Sequence, residues 1–189
     1  MKTALIFPLL FALALPAAAN APAHPAKPKP QNELDALFGK LAHAGSAEAA
    51  KPIEEQILTL FNQSGSPSID LLMVHTEAAA KAGNTDTAKN LIISITEIAP
   101  NYAEGWHQRA ALAQSEKNDT DALAYLQKTV TLNPREFAAL QELGGILESY
   151  GDKKQALQYY RRALALDPFL EGLSDQVTKL ARDVEGEKI

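Results

Sequence analysis

Residues 137–170 read FAALQELGGILESYGDKKQALQYYRRALALDPFL, and this stretch decides the fold. Leucines at i, i+3 and i+7 from Leu140 give a first helix one apolar face. Gly151 and Asp152 predict a turn, because glycine tolerates left-handed geometry and aspartate caps the helix that follows. Pro168 ends a second helix, since proline disfavours helical geometry in the residue before it. The stretch therefore predicts an antiparallel pair of helices.

The same pattern recurs upstream at a constant spacing of 34 residues. A fixed period in this range is typical of arrays of helical hairpins. A proline closes each copy and an alanine stands twelve residues before it, at Pro100, Pro134 and Pro168 and at Ala88, Ala122 and Ala156. Aligning the copies on their prolines gives three units, residues 69–102, 103–136 and 137–170.

The third unit resembles the tetratricopeptide repeat family. It matches the motif of that family at Leu140, Leu143, Gly144, Ala156, Tyr160, Ala163 and Pro168. The second unit departs at Arg109 and Lys117, where the family has leucine and glycine, and the first has His75-Thr76 in place of Leu-Gly. The resemblance implies an all-α fold, a right-handed superhelical array of antiparallel helix hairpins, with the first helix of each unit on the concave side.

The segments that flank the three units also predict helices. Residues 32–68 follow a helical apolar period and form a degenerate N-terminal hairpin, with Pro52 in the first turn of its second helix. We expect this hairpin to cover the open end of the array, as terminal units commonly do. Residues 171–189 predict a C-terminal capping helix and tail, whose apolar stripe begins at Leu173. A partner-binding helix is the alternative for that segment.

The N-terminal residues differ in composition from the rest of the chain. Residues 1–19 predict a cleavable signal peptide, because a basic start precedes an uncharged apolar stretch and three alanines. That stretch is short for a membrane span, so we expect no stable membrane insertion after cleavage. Residues 20–31 are rich in proline and predict a disordered linker, with a docking motif as the alternative. The expected location is the bacterial periplasm, or secretion beyond it.

Charge and composition exclude several classes of function. Three of the 18 basic residues precede residue 32 and no acidic residue does, so the folded part carries 15 basic and 23 acidic groups, a net charge of −8. This sign opposes binding to nucleic acid. The chain has no cysteine, which excludes disulfides and thiolate metal sites.

No catalytic motif and no cofactor-binding motif is present, so we expect no enzymatic activity and no cofactor. His43, His75 and His107 recur every 32 residues, but histidines on adjacent units would lie about 10 Å apart. That distance is too long for joint ligation, so the sequence predicts no metal site.

The resemblance also implies which residues face the concave side. They are Asp70, Met73, Glu77, Lys81, Glu104, His107, Ala111, Gln114, Gln141 and Glu148. This polar, mildly acidic surface suits an extended peptide or a partner helix. One subset of the family grips a C-terminal carboxylate with lysine, asparagine and arginine at these positions. Those residues are absent here, so tails of cytosolic heat-shock chaperones are not the expected ligand.

The expected function is a non-enzymatic protein–protein interaction scaffold or adaptor in the bacterial envelope. Its partner would be a protein or peptide that binds on the concave face. The alternative is an oligomerising accessory or regulatory subunit of an envelope complex. We expect a monomer or a weak homo-oligomer.

Overall fold

The computed structural model describes residues 31–186. The predicted signal peptide and all but the last residue of the predicted linker lie outside this range. Within it the chain forms helices and no strand. The helices are α1 (Gln31–Ala42), α2 (Ala47–Phe61), α3 (Pro67–Lys81), α4 (Thr85–Ile98), α5 (Ala103–Ser115), α6 (Asp119–Leu132), α7 (Phe137–Ser149), α8 (Lys153–Leu166) and α9 (Leu173–Glu185).

The prediction of an all-α solenoid is confirmed. The pairs α3–α4, α5–α6 and α7–α8 form three successive helical hairpins, and from α3 to α9 each helix packs against the next one along the chain. No helix between residues 31 and 186 is long and apolar enough to cross a bilayer.

The turn inside each unit needs a residue with a left-handed backbone. Gly83 and Gly151 supply it in the first and third units, with φ of 75° and 84°. In the second unit Lys117 takes that place with φ of 59°. A side chain in this conformation costs about 1–2 kcal/mol. The repeat geometry thus overrides the preference of the lysine.

The two helices of the third unit approach closely at Gly144. A Cβ atom built on Gly144 would lie 2.4 Å from Cε1 of Tyr160, whose ring fills the space that the missing side chain leaves. Tyr160 is 2% exposed, and it packs in a core that includes Leu140, Leu143 and Ala156. The predicted role of Gly144 in helix packing is confirmed.

Replacement of Gly144 by alanine should therefore displace the ring of Tyr160. We expect Gly144→Ala to lower the free energy of unfolding by about 1–3 kcal/mol, as overpacking does in other cores. Gly145→Ala is the matched control, since its Cβ would lie 3.8 Å from the Tyr160 hydroxyl and alanine favours helix over glycine. Urea denaturation followed by circular dichroism measures both. Equal destabilisation by the two variants would contradict this packing.

Helix α9 packs against the last unit. Leu173 and Leu180 are almost fully buried in the same core as Tyr160. Two ion pairs hold the exposed side of α9 to α8, with Lys153 Nζ 2.7 Å from Asp183 and Arg161 Nη1 2.5 Å from Glu185. The apolar stripe of the helix is thus used for intramolecular packing.

Helix α2 begins earlier than predicted. Ser46 caps it by accepting a hydrogen bond from the Ala49 amide, which places Pro52 inside the helix and not in its first turn. The serine provides the start signal because its side chain satisfies an amide that has no partner within the helix. Pro52 is exposed, and its carbonyl accepts a hydrogen bond from Gln56 Nε2 at 2.8 Å.

The N-terminal hairpin α1–α2 does not cover the first unit as predicted. It packs instead against the loops that join one unit to the next. The rings of Phe38 and Phe137 form a T-shaped, edge-to-face contact with their centroids 6.4 Å apart. The guanidinium of Arg135 lies over the Phe38 ring and pairs with Asp35. The physical reason is that Arg135, in the loop before α7, and Phe137, the first residue of α7, lie opposite Asp35 and Phe38 of the hairpin.

The hairpin reaches two further joining loops. The Tyr102 hydroxyl, in the loop between α4 and α5, donates a 2.7 Å hydrogen bond to the carbonyl of Asn62. Phe169 and Leu170, in the loop between α8 and α9, pack against the core of the hairpin. The hairpin therefore spans the array along the edge at which its units are joined.

Asp167 is buried at this edge. Its Oδ1 accepts a hydrogen bond from the Phe169 amide, but within residues 31–186 no donor reaches Oδ2. Burial raises the pKa of Asp167 above its ordinary value. Burial, followed by the charge of Asp167, also raises the pKa of Glu54 on α2. The two carboxyl groups oppose docking of the hairpin when both are ionised.

We expect the destabilisation caused by Asp167 and Glu54 to diminish as pH falls from neutral towards 4. The folded state holds these protons more tightly than the unfolded chain, so protonation favours folding. Asp167→Asn should flatten this dependence and stabilise the protein at pH 7. Asn133 shows that asparagine fits this repeat position, because its Oδ1 accepts from the Arg135 amide in the same way. Thermal unfolding at several pH values measures the effect, and an unchanged pH profile in Asp167→Asn would contradict it.

Candidate functional site

A groove of about 470 Å³ runs along the inner face of α3. The end of α2 forms one wall and Gln108 of α5 contributes to the other. Four of the predicted concave residues line it, namely Asp70, Met73, Glu77 and Lys81. A smaller hollow of about 310 Å³ shares Thr76, Ala80 and Gln108 with the groove and includes the predicted residue Ala111. The two hollows adjoin, so α3, α4 and α5 enclose one open region.

The charged residues of this groove differ in how strongly contacts within the protein hold them. Asp70 Oδ1 accepts hydrogen bonds from the amide and the hydroxyl of Ser64, at 2.8 and 2.6 Å, and thereby fixes the loop before α3. Glu77 and Lys81 form an ion pair of 3.5 Å one helical turn apart, and both side chains are at least 70% exposed. Such an exposed pair contributes little to stability, so both groups remain available to a ligand.

The concave face is closed where α5 meets α7. His107 Nε2 lies 3.0 Å from Oε1 of Glu142, and His107 Nδ1 lies 3.6 Å from Oε2 of Glu104. Gln114 Nε2 donates to the second oxygen of Glu142 at 3.0 Å. The His107 side chain is only 13% exposed. A histidine thus connects the first helices of two successive units.

The surroundings of His107 favour its charged form. Burial alone would lower the pKa of His107, but the hydrogen bonds and charges of Glu104 and Glu142 outweigh burial and raise the pKa to about 10. The side chain is therefore an imidazolium at neutral pH, and it is the cation that both carboxylates share. The predicted residues Glu104, His107 and Gln114 are consequently engaged in contacts within the protein.

The third unit is closed in a different way. Glu148 Oε2 accepts a hydrogen bond from the Tyr160 hydroxyl at 2.9 Å and another from Gln176 Nε2 of α9 at 2.6 Å. The predicted residue Glu148 therefore holds the capping helix. Gln141, the remaining predicted position, is half-buried on α7. The open part of the concave face is confined to the first two units.

Several residues of this face were not predicted from the sequence, and three of them share one position of the repeat. Val74 and Gln108 line the groove, and Glu142 belongs to the closed region. All three occupy the sixth position of their units, next to the fifth position that the prediction used. The signal was present in the repeat register, because a sixth position lies on the flank of the same helical face.

The third unit can now be identified. The family model described as tetratricopeptide repeat matches residues 137–169. These residues form a tetratricopeptide repeat. The chain is 28% identical over 163 residues to a TPR repeat-containing protein of Rhizobium etli, a match that covers 86% of this chain and 80% of that one.

Two solved structures share the fold of this chain. The first TPR of Spaghetti (RPAP3), bound to the HSP90 peptide SRMEEVD, has a TM-score of 0.55 and 19% identity and covers 62% of this chain and 93% of its own. MamA has a TM-score of 0.55 and 15% identity over 82% of both chains. At these identities the likeness concerns the fold alone.

The contact between His107 and Glu142 should be measurable as a coupling free energy. A double-mutant cycle with His107→Gln and Glu142→Gln should give about 1–2 kcal/mol, because the histidine is largely buried and hydrogen-bonded. The matched control is the exposed pair Lys89–Glu116 at 2.7 Å, for which we expect a smaller coupling. Chemical denaturation of the four proteins of each cycle provides the values. A coupling no larger than that of the control pair would contradict the proposed link between α5 and α7.

Proposed function

We propose that this protein is a non-enzymatic interaction module that binds an extended segment of a partner protein in the groove along α3. The observation that carries the proposal is the contrast between two parts of the concave face. The groove at α3 is open, whereas the surface between α5 and α7 is filled by the hydrogen bonds of His107. A partner would therefore bind at the first unit and not along the whole array.

The lining of the groove indicates the chemistry of the partner. Val74 is 62% exposed, and Met73 and Ala80 add apolar surface beside it. Glu77 and Asp70 place negative charge at the rim, and the cation Lys81 is paired with Glu77. A segment with apolar side chains and a basic residue complements this surface, because opposite charges favour encounter and set register.

This chemistry differs from that of a ligand ending in acidic residues. The RPAP3 repeat is bound to a peptide with the sequence SRMEEVD. In this chain an acidic tail would face Asp70 and Glu77 at the positions where it needs cations. The proposal therefore adopts the fold of that complex but not its ligand class.

We also propose that the module acts in the bacterial envelope. The support is the sequence of residues 1–19, where a basic start, an apolar stretch and a run of alanines have the order of a secretory signal. A partner with a basic, partly apolar segment exposed in the periplasm would meet the groove there.

A peptide array tests the groove directly. Peptides of about twelve residues that combine leucine or valine with lysine or arginine should bind, and peptides with aspartate or glutamate in place of the basic residues should not. Glu77→Lys should weaken the best peptide by about tenfold or more, since it reverses the charge at the rim, and Val74→Ser should weaken it through loss of apolar contact. Fluorescence anisotropy measures each affinity.

Glu97→Lys is the matched control for this experiment. Glu97 is an exposed glutamate of the same unit, on α4, outside the lining of the groove. We expect the affinity of the Glu97→Lys variant for the basic peptide to stay within about twofold of the wild-type affinity. Equal losses in Glu77→Lys and Glu97→Lys would show an unspecific charge effect, and a preference for acidic peptides would overturn the proposed partner chemistry.

A further inference from the structure

We propose that Glu104, His107 and Glu136 form a binding site for a divalent transition-metal ion of the Zn²⁺ class. One ligand atom from each side chain, a carboxylate oxygen or an imidazole nitrogen, lies within 4.8 Å of the other two. Carboxylate oxygen and imidazole nitrogen together are typical ligands of zinc and its neighbours, at about 2.0–2.2 Å from the ion.

The burial of this cluster separates it from the acidic patches common on protein surfaces. Glu104 is 6% exposed and Glu136 is 0% exposed, while the side chain of His107 is 13% exposed. Buried carboxylates require compensation by a positive charge. Glu104 and Glu142 both pair with His107, at 3.6 and 3.0 Å, so two carboxylates share one imidazolium.

Helix positions explain how residues of two units meet here. Glu104 and His107 lie three residues apart on α5 and share a face. Glu136 is the residue that precedes α7, so it enters the space between the first helices of adjacent units. The expectation that adjacent units are too far apart for joint ligation applies to equivalent positions. It does not apply to a residue at the joining loop.

Each proposed ligand is also held by a neighbouring side chain. Gln108 Nε2 donates to Oε1 of Glu104 at 2.8 Å, and Asn133 Nδ2 donates to Oε2 of Glu136 at 3.0 Å. His107 Nε2 faces Glu142 at 3.0 Å, which leaves Nδ1 directed towards Glu104. A histidine that ligates a metal through one nitrogen commonly donates its other N–H to a carboxylate, and this orients the ring.

Binding of the ion requires loss of the Nδ1 proton. In the ion-free protein that proton lies on the side of the ring that faces Glu104. A divalent ion would replace it and would add one positive charge to the cluster, while the Nε2 proton would remain on the hydrogen bond to Glu142.

Calorimetric titration of the tag-free full chain with ZnCl₂ tests this site. We expect one ion per chain, and loss of that binding in His107→Gln and in Glu136→Gln. Glu142→Gln keeps all three ligands and should bind about 10–100-fold more weakly, as removal of an outer hydrogen-bond partner does at other metal sites. This variant keeps the test informative if the ligand variants fold poorly.

The exposed residues His43 and His75 provide matched controls. His43→Gln and His75→Gln should bind Zn²⁺ as the wild type does. Absorption of the Co²⁺ form between 500 and 650 nm should follow the same order among the variants. The proposal is overturned if no stoichiometric binding occurs, if folded Glu142→Gln and wild type bind equally, or if either control loses the ion.

Discussion

The close approach of the two helices within each unit is the constraint on which the rest of the structure depends. At Gly144 the helices are so near that the ring of Tyr160 occupies the place of a side chain. Alanines at 34-residue intervals, Ala88, Ala122 and Ala156, are buried in the second helix of each unit. Because these positions admit only small residues, the register of every hairpin is fixed. The directions of the remaining side chains follow from that register.

Once the register is fixed, the concave face has a definite set of residues. Whether each of them is available to a ligand depends on the side chains that it contacts within the protein. Two of the three units direct polar side chains inward and satisfy them within the protein, through His107 and through Glu148. The first unit leaves its inward residues largely exposed. The same repeat position thus has different functions in different units, because the neighbouring helix differs each time. Position in a repeat defines a direction and not a role.

The sequence was sufficient to predict the fold. It was insufficient to predict the contacts of His107 that fill the concave face between α5 and α7. The structure contains the helix packing that was predicted from the 34-residue period, from Gly144 and from the apolar stripe of α9. Such packing is predictable because it depends on local periodicity of the sequence. The contact of His107 with Glu142 was not predictable, because it joins residues of different units. Whether such side chains meet depends on their lengths and on the angle between the two helices. The position of the N-terminal hairpin was predicted wrongly for a similar reason. Its apolar period predicts helices, but the choice of docking surface depends on Phe137 and Arg135, about 100 residues away.

That docking surface changes the way the array should fold. In a simple repeat protein each unit contacts only its neighbours, and units can form or open nearly independently. Here residues of α1 and α2 join loops of the first, second and third units, with the pair of Arg135 and Asp35 separated by 100 positions in the chain. Such long-range contacts raise the contact order, which slows folding. They also tie the opening of one unit to that of the others, so the hairpin converts a linear stack into one cooperative folding unit.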